Sequence, residues 1–398
     1  KTLMVRVVKP REHMSIYDPT VGSGGFLIEA RQYVEEKGQN PKSMALYGQE
    51  LNGVTWSICK MNMILHGIPD AHINNEDTLT NPQFIENGYI KLFDRVLANP
   101  PFSQNYSRAN MQFSERFKYG FTPETGKKAD LMFLQHMIAS LKPDGVMASV
   151  MPHGVLFRGG QEKVIREGIV KDDIIEAIIG LPSKLFYNTG IPACIVVINK
   201  KKPQHLKNKI FFINADREYG EGRNQNYLRP EDIEKIVTVF DRKLEIPKYS
   251  KLVDIREIEE NDFNLNIRRY VDNSPDPEIE NVRHHLSGYI PEQELKINKP
   301  QMDKFHFKVS TLFTKKDDKG LEFLSSITEK NRIKEIVDGF EGVKNTYSQH
   351  LEKLNQWWSG VEKDIEAFPR NNKLWDFRVK ALKSLKDNLL PLGVLDEF

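Results

Sequence analysis

An apolar stretch, Phe93 to Ala98, is interrupted abruptly by Asn99, Pro100 and Pro101. A short run rich in Val and Leu is typical of a buried strand in a parallel sheet, and prolines do not continue such a strand. Open α/β sheets bind their ligands just beyond the carboxyl ends of the strands. The sequence therefore predicts an α/β fold with a ligand site directly after residue 98.

The residues that follow this strand indicate a particular kind of ligand. The Asn99 side-chain oxygen and the Pro100 carbonyl are two hydrogen-bond acceptors, and Pro101 restrains the backbone so that both can point at one amino group. Phe102 adds a flat ring for stacking. This set suits a planar substrate with an exocyclic amino group, such as an adenine turned out of a duplex. The same residues can also do no more than terminate a strand, and the motif alone leaves both interpretations open.

A glycine-rich turn lies nearer the start of the chain, between a strand at Met14–Tyr17 and a helix that begins at Phe26. A strand, glycine turn and helix in this order bring backbone N–H groups close to a nucleotide-like ligand, since side chains would collide with it. The spacing of the glycines differs from both common phosphate-binding motifs, so a phosphate is not the expected ligand.

Two acidic residues follow the next predicted strands. Glu50 ends a strand at Ser43–Glu50 and precedes an apolar helix at 54–65, which is where ribose hydroxyls are bound in βαβ units. The alternative is a solvated carboxylate that caps this helix. Asp77 ends a third strand, His72–Asp77, and could accept a hydrogen bond from the adenine amino group of a cofactor.

Composition restricts the class of protein. The 398 residues carry a net charge of +2, so any binding of nucleic acid requires a local basic patch or a partner. No apolar run is long enough to cross a bilayer. Cys59 and Cys194, both in apolar surroundings, are typical of reduced thiols in a cytoplasmic protein. The composition suggests no metal site, and the start at Lys1 looks like a cut end.

The middle of the chain continues the α/β pattern. A long loop of 103–128, with basic and aromatic residues, is either a segment that contacts nucleic acid or a disordered insertion. The strands Ile174–Gly180 and Ala193–Ile198 are joined by a loop too short for a helix and should pair antiparallel. The other expected elements are a helix at Ala129–Leu141 with a turn at Lys142–Gly145, a strand at Val146–Met151, a helix at Gly160–Val170 and an edge strand at Lys209–Asn214. With no nucleophile or acid nearby in sequence, His153 is expected to be a structural or substrate-lining residue and not a catalytic base.

The pattern changes after about residue 244. Residues 244–310 are charged and weakly periodic, apart from a helix predicted near Glu278–Leu286. A helix is expected over Leu321–Val361, with a seam of apolar residues at steps of three and four, and a second over Lys373–Leu389. The seam must be buried, either against the chain itself or against a partner's helices. We therefore expect a catalytic domain at 1–245, an irregular connection at 246–320 and a helical, partner-binding region at 321–398.

Taken in order, the motifs DPTVGSGGFLIEA, LYGQELN and FDRVLANPPF resemble the amino-methyltransferases that use S-adenosylmethionine. The closer resemblance is to the modification (methylation) subunit of type I restriction-modification systems, and the later segment IIGLPSKLFYNTGIPACIVVINK is similar to the same family. The resemblance implies a Rossmann-like, mostly parallel sheet with an antiparallel final strand and a helical C-terminal region. It also implies DNA as substrate, and as partners a specificity subunit and, in the full complex, a restriction subunit.

The resemblance assigns roles to particular residues. It implies that the catalytic residues grip a flipped adenine and that the remaining site residues hold S-adenosylmethionine. The family carries an aromatic-Thr-Pro segment and a helical domain before the first strand, and this chain begins too late to show them. The implied catalytic residues are Asn99, Pro100, Pro101 and Phe102, and the implied cofactor-binding residues are Asp18, Gly22, Ser23, Gly24, Gly25, Glu50 and Asp77.

Three other functions share parts of this pattern. Protein methyltransferases that modify a glutamine amide usually carry Tyr at the position of Phe102. Methyltransferases of the cytosine N4 amino group usually carry Ser at the position of Asn99. A subunit that serves chiefly in assembly would need only the helical tail. The intact segment from Asn99 to Phe102 favours adenine methylation over all three.

Overall fold

The computed structural model describes residues 1–186, 190–274, 286–316, 320–371 and 374–397. The chain forms two compact units, Lys1–Ser274 and Pro275–Phe398. The first unit therefore extends about thirty residues beyond the expected boundary at 245. The reason is that a strand at Ser250–Asp254 pairs with the strand at Lys209–Asn214 and completes the sheet.

The first unit is built around one large sheet and a small hairpin. Its strands are β1 (Ser15–Asp18), β2 (Ala45–Glu50), β3 (His72–Asn75), β4 (Ile85–Glu86), β5 (Tyr89–Ile90), β6 (Phe93–Ala98), β7 (Leu141–Pro152), β8 (Ile175–Gly180), β9 (Ala193–Asn199), β10 (Lys209–Asn214) and β11 (Ser250–Asp254). The large sheet has the order β11-β10-β8-β9-β7-β6-β1-β2-β3, and β4 pairs only with β5.

The large sheet is mostly parallel, as the sequence predicts. Only β9 and β11 run against their neighbours. The antiparallel pairing of β8 with β9 confirms the argument from the short connection between them. The prediction that Lys209–Asn214 forms an edge strand is wrong, because β11 covers its outer side.

Helices cover the sheet. They are α1 (Thr2–Val8), α2 (Gly25–Glu36), α3 (Gly53–Leu65), α4 (Asp130–Ala139), α5 (Gln161–Lys171), α6 (Pro230–Arg242), α7 (Ile255–Glu260) and α8 (Ile267–Tyr270). The helices α2, α3, α4 and α5 lie within a few residues of the predicted ones, whereas α1, α6, α7 and α8 were not predicted. No helix in the described part of the chain is long and apolar enough to cross a membrane.

The boundary between α4 and β7 differs from the prediction. Leu141 is fully buried and pairs with Phe93, so the strand begins there and not after Gly145. The register shifts before Arg95 pairs with Val146, so the residues between Leu141 and Val146 form an irregularity within the strand. Strand pairing and burial of Leu141 override the local turn preference of this segment.

The order of the strands creates a switch point beside β1. The chain runs from β1 outward to β2 and β3, and then returns to the other side of β1 to form β6 and β7. Ligands bind at such a point in open α/β sheets, just beyond the carboxyl ends of the strands. The carboxyl ends of β1 and β6 carry Asp18 and the Ala98–Asn99 junction.

The second unit is described by itself. Its strands are β12 (Ile290–Pro291), β13 (Phe313–Lys315) and β14 (Gly320–Phe323), and its helices are α9 (Glu292–Lys304), α10 (Lys330–Gly339), α11 (Glu341–Asn371) and α12 (Leu374–Leu389). The expected single helix over Leu321–Val361 is therefore wrong at its start and is interrupted at Phe340, whose backbone is extended. The helix predicted near Glu278–Leu286 lies outside the described residues, except for Leu286 itself.

Candidate active site

The glycine turn between β1 and α2 has the backbone geometry that its sequence requires. Gly22 and Gly24 have positive φ angles of 54° and 85°, which side chains rarely adopt. A Cβ at Gly24 would lie 2.2 Å from the terminal methyl carbon of Met63 on α3. Glycine is therefore favoured at position 24 by its backbone conformation, and a side chain there would also have to displace the flexible end of Met63.

Asp18 lies at the start of this turn and is almost fully buried. Its Oδ1 accepts the backbone N–H of Thr20 at 3.0 Å, which steadies the turn. Burial, and secondarily the negative charge of Glu50, raise the pKa of Asp18 to about 8, while the Thr20 hydrogen bond acts in the opposite direction. A positive charge placed near this buried carboxyl group would favour its ionised form and lower its pKa.

Glu50, at the end of β2, connects the turn to the second βαβ unit. Its Oε2 accepts the Gly22 backbone N–H at 3.0 Å, and its Oε1 accepts the Asn52 N–H at 2.9 Å. The cap of α3 is Asn52, whose side chain accepts the Thr55 N–H at 3.0 Å. The capping role considered for Glu50 therefore belongs to Asn52, and the Glu50 carboxylate is oriented toward the glycine turn.

Asp77 follows β3, the neighbour of β2. Its Oδ1 accepts the Leu79 N–H at 2.9 Å, and the residue is half-buried. Because β2 and β3 are parallel, with Glu50 opposite Asn75, both acidic residues lie at the same edge of the sheet.

Asn99 stands directly beyond β6 at the switch point and is exposed. Among the described residues, neither its side chain nor the Pro100 carbonyl is engaged in a hydrogen bond. Pro100 is buried and Pro101 half-buried, so the backbone around the two acceptors is held in place. A polar side chain that only ended a strand would be expected to bond locally, as Asn52 does.

The ring of Phe102 meets a second aromatic ring from a distant part of the chain. The Phe102 and Phe186 ring centroids are 5.8 Å apart, at an interplanar angle of 69°. Phe186 follows β8, within a segment that the family resemblance covers, but its pairing with Phe102 was not predicted. The sequence does show Phe186 as an aromatic residue just beyond the end of a buried strand, and this was the signal that could have indicated its role.

Residues of the glycine turn and Asn99 line the same cavity. It has a volume of about 960 Å³ and contains Asp18, Gly22, Ser23, Gly25 and Asn99 in its wall. Glu50 and Asp77 are not among the described residues of this wall, although the bond from Gly22 to Glu50 places that carboxylate next to it. A cavity of this size accommodates a cofactor together with part of a substrate.

Two regions that the sequence did not indicate also form the wall. Leu3 and Met4 of α1 contribute to it, and so do Tyr227 and Leu228 before α6. Leu3 and Met4 belong to an apolar run just before the first strand. This run was the sequence signal that could have predicted α1. Phe186 also contributes to the wall, so the Phe102–Phe186 pair lies at the cavity.

The loop after Phe102 is folded and carries few free basic groups. Lys118 pairs with Asp172 at 2.5 Å, Lys128 pairs with Glu162 at 2.8 Å, and Arg116 is buried. Arg108 stacks on the Phe121 ring, 4.0 Å from its centroid. Ion pairs with residues outside the loop therefore help to hold it in place, and Asp172 and Glu162 neutralise much of its basic charge.

The sequence favours a structural or substrate-lining role for His153. It is half-buried, and burial lowers the pKa of its ring. Its backbone N–H donates to the Pro192 carbonyl at 3.0 Å. It follows β7 directly, and it is absent from the described wall of the 960 Å³ cavity.

Comparison with known proteins gives a consistent set of relatives. The family model described as N-6 DNA Methylase matches residues 1–278. The methylase subunit of the type I restriction enzyme MjaVIII from Methanocaldococcus jannaschii is 38% identical over 317 residues, which are 76% of this chain and 53% of that protein. The methylase subunit of the type I restriction enzyme MpnII from Mycoplasma pneumoniae is 34% identical over 293 residues, which are 70% and 53% of the two chains.

A solved structure extends the comparison to the fold. The methyltransferase subunit of a type I restriction-modification system from Streptococcus thermophilus superposes with a TM-score of 0.62 at 38% identity. The match covers 68% of this chain and 58% of that one. The chain spans about half the length of the curated relatives that it matches.

Proposed function

The chain belongs to the N-6 DNA methylase family, and on that premise we propose that it transfers a methyl group from S-adenosylmethionine to the N6 amino group of an adenine turned out of DNA. The observation that carries the proposal is the pair of acceptors at Asn99 and Pro100, which accept hydrogen bonds from none of the described residues and lie in and beside the cavity that contains the glycine turn. The modification subunit of a type I restriction-modification complex is the context that the relatives suggest.

The two acceptors supply the chemistry at the base. The amino group of adenine is a poor nucleophile, because its lone pair is delocalised into the ring. When the Asn99 Oδ1 and the Pro100 carbonyl accept hydrogen bonds from its two N–H groups, the nitrogen gains electron density as the transition state forms. Both acceptors lie on restrained backbone, so the amino group is held in position at little further cost in entropy.

The aromatic pair provides the surface for the base. A flipped base loses its stacking partners in the duplex, and aromatic side chains can replace them. Phe102 lies three residues after Asn99, and its ring contacts that of Phe186 edge to face. We assign Phe102 and Phe186 to this role together.

The residues of the glycine turn fit S-adenosylmethionine. The positive φ of Gly22 and Gly24 lets the backbone approach a ligand where side chains would not fit. Bound there, this cofactor supplies a sulfonium-activated methyl group. Gly22, Ser23, Gly24 and Gly25 would surround its methionine end with Asp18 steadying the turn, Glu50 would accept from the ribose hydroxyls, and Asp77 would lie near its adenine.

The second unit provides a surface for partner subunits. One side of α11 exposes a row of apolar side chains at helical spacing, Tyr347, Leu351, Leu354 and Trp358, with exposed fractions between 40% and 64%. Apolar rows of this kind mark sites of association. We assign this row to a specificity subunit, which would choose the DNA target. As a modification subunit, the chain would also bind a restriction subunit in the full complex. The same proposed role implies a location in the cytoplasm.

The direct test is transfer of labelled methyl from S-adenosylmethionine to unmethylated DNA by the complete subunit with its specificity subunit. We expect label in N6-methyladenine. Asn99→Ala should abolish transfer, while Asn298→Ala, an exposed asparagine on α9 in the second unit, serves as the matched control. Label in cytosine or in protein, or cofactor binding without any transfer, would contradict the proposal.

A further inference from the structure

Arg116 is a buried cation that is held almost entirely by backbone oxygens. It is 5% exposed, and its guanidinium donates to the carbonyls of Thr78 (2.8 Å), Leu79 and Gln112 (3.2 Å). A fourth contact joins its Nη1 to the His136 Nδ1 at 2.7 Å. A planar group with several fixed donors is suited to bridging separate segments in this way.

The contact with Arg116 determines how His136 is protonated. Arginine can only donate, so Nδ1 of His136 must be the acceptor and Nε2 must carry the proton. Burial, together with the charge of Arg116, lowers the pKa of His136 well below its usual value, so the ring is neutral. The Nε2–H then donates to the hydroxyl of Tyr17 at 3.1 Å.

The hydrogen-bond network around Arg116 includes the sequence neighbours of two proposed cofactor-binding residues. Tyr17 directly precedes Asp18 at the end of β1, and Thr78 directly follows Asp77 beyond β3. The Thr78 hydroxyl also donates to the Pro19 carbonyl at 2.6 Å, which joins the two strand ends to each other. Arg116 therefore contacts Thr78, the neighbour of Asp77, directly and is connected to Tyr17, the neighbour of Asp18, through His136.

Arg116 itself belongs to the loop that follows the proposed base-binding residues. The Gln112 backbone N–H in the same loop donates to the Thr80 carbonyl at 2.9 Å. The adjacent Phe117 is buried in a small cluster with Leu79, and the Tyr119 N–H donates to the Gln135 side chain at 3.1 Å. The loop is thus fastened to the cofactor side of the sheet chiefly around Arg116.

From this arrangement we propose that Arg116 is a positioning residue that couples the loop of 103–128 to cofactor binding. The inference rests on the proposed function, since it concerns the same cavity. A bound cofactor would order the residues just beyond β1 and β3. The contacts of Arg116 would transmit this ordering to the loop. Coupling between two sites is reciprocal, so a loosened loop must weaken cofactor binding.

The test measures hydrogen exchange in the loop peptides of the complete protein, with and without S-adenosylhomocysteine, and the affinity for that compound by calorimetry. In the wild type, binding should slow exchange across residues 103–128. Arg116→Lys keeps the charge but loses the planar set of donors. We expect it to bind the compound about tenfold more weakly and to lose the slowing of loop exchange on binding.

Arg108→Lys is the matched control, because it changes an arginine in the same loop whose side chain stacks on Phe121 without entering the buried network. It should retain the wild-type affinity and exchange. If Arg116→Lys fails to fold, Tyr17→Phe removes only the hydroxyl at the far end of the network and should give a smaller effect in the same direction.

The outcomes separate this inference from the proposed function. A wild-type protein that does not bind the compound contradicts the proposed function. Wild-type binding with unchanged affinity and unchanged ligand-dependent exchange in Arg116→Lys, or in Tyr17→Phe if that variant is the one that folds, overturns the coupling alone. A loss of thermal stability with normal ligand-dependent slowing of exchange would show a merely structural role and also overturns it.

Discussion

The Asp130 carboxylate accepts the backbone N–H of Ser103 at 2.9 Å. Ser103 directly follows Phe102 and has a φ of 54°, a conformation that costs free energy in a residue other than glycine. Asp130 is 2% exposed and begins α4, so the bond fastens the end of the proposed base-binding segment to a rigid helix.

Replacement of Asp130 should therefore slow methyl transfer without preventing folding. In Asp130→Ala the Ser103 N–H loses its acceptor and the segment of Asn99 is no longer held, for which we expect a rate about 100-fold lower. Asp130→Asn keeps an acceptor oxygen and should stay near the wild type. Single-turnover rates at saturating cofactor measure the difference, and equal losses in both variants would contradict the positioning role.

The raised pKa of Asp18 predicts a dependence on pH. Since this pKa rises from 3.8 to about 8 on folding, the folded protein binds the proton more tightly than the unfolded chain does. The free energy of unfolding of the ligand-free protein should therefore fall as the pH rises from about 4 to about 8. Asp18→Asn removes this contribution, so its thermal midpoint should fall less over the same range.

Cofactor binding should show the opposite trend. The positively charged methionine end of S-adenosylmethionine favours the ionised form of Asp18. Affinity should therefore increase as the pH rises toward about 8 in the wild type, whereas Asp18→Asn should bind weakly and with little dependence on pH. Calorimetric titrations at several pH values test this, and parallel pH profiles for the two proteins would exclude the role of Asp18.

A substitution at Gly24 should disturb the site by steric conflict. Gly24→Ala places a methyl group 2.2 Å from Met63, in addition to a positive φ. Gly38 also has a positive φ of 70° but has no atom within 4 Å of the added carbon. Gly38→Ala should thus cost only about 1 kcal/mol for its backbone, and Gly24→Ala somewhat more, because the flexible end of Met63 must also move. Urea unfolding gives both values, and only Gly24→Ala should also lose cofactor affinity.

The apolar row on α11 gives a prediction about assembly. Leu354 is 40% exposed within this row, and Leu354→Asp should prevent binding of the specificity subunit. Gln349→Asp adds the same charge on the opposite side of α11, where we expect no effect. Co-purification and calorimetry measure association, and cofactor affinity should be unchanged in both variants. Normal assembly of Leu354→Asp would move the partner surface elsewhere.

Much of the first unit could be predicted because its signals are local. The apolar runs of β1, β2, β6, β8 and β9 each stop at glycine, proline or a polar residue, and the short link between β8 and β9 permits only an antiparallel pair. The errors lie where distant pairing decides the structure. Leu141 joins β7 because Phe93 lies opposite it, and Ser250–Asp254 becomes a strand because β10 offers a free edge.

The sequence by itself determined most of the strands and helices between β1 and β10, the glycine turn and the placement of Asn99 just beyond a buried strand. Special backbone residues and hydrophobic periodicity encode these features within a few positions. Only the tertiary structure decided that Phe186 meets Phe102, that Asp130 holds Ser103 and that Arg116 is buried between two strand ends. These contacts join residues about 27 to 84 positions apart, and their partners depend on the register and packing of the whole sheet, which no local pattern specifies.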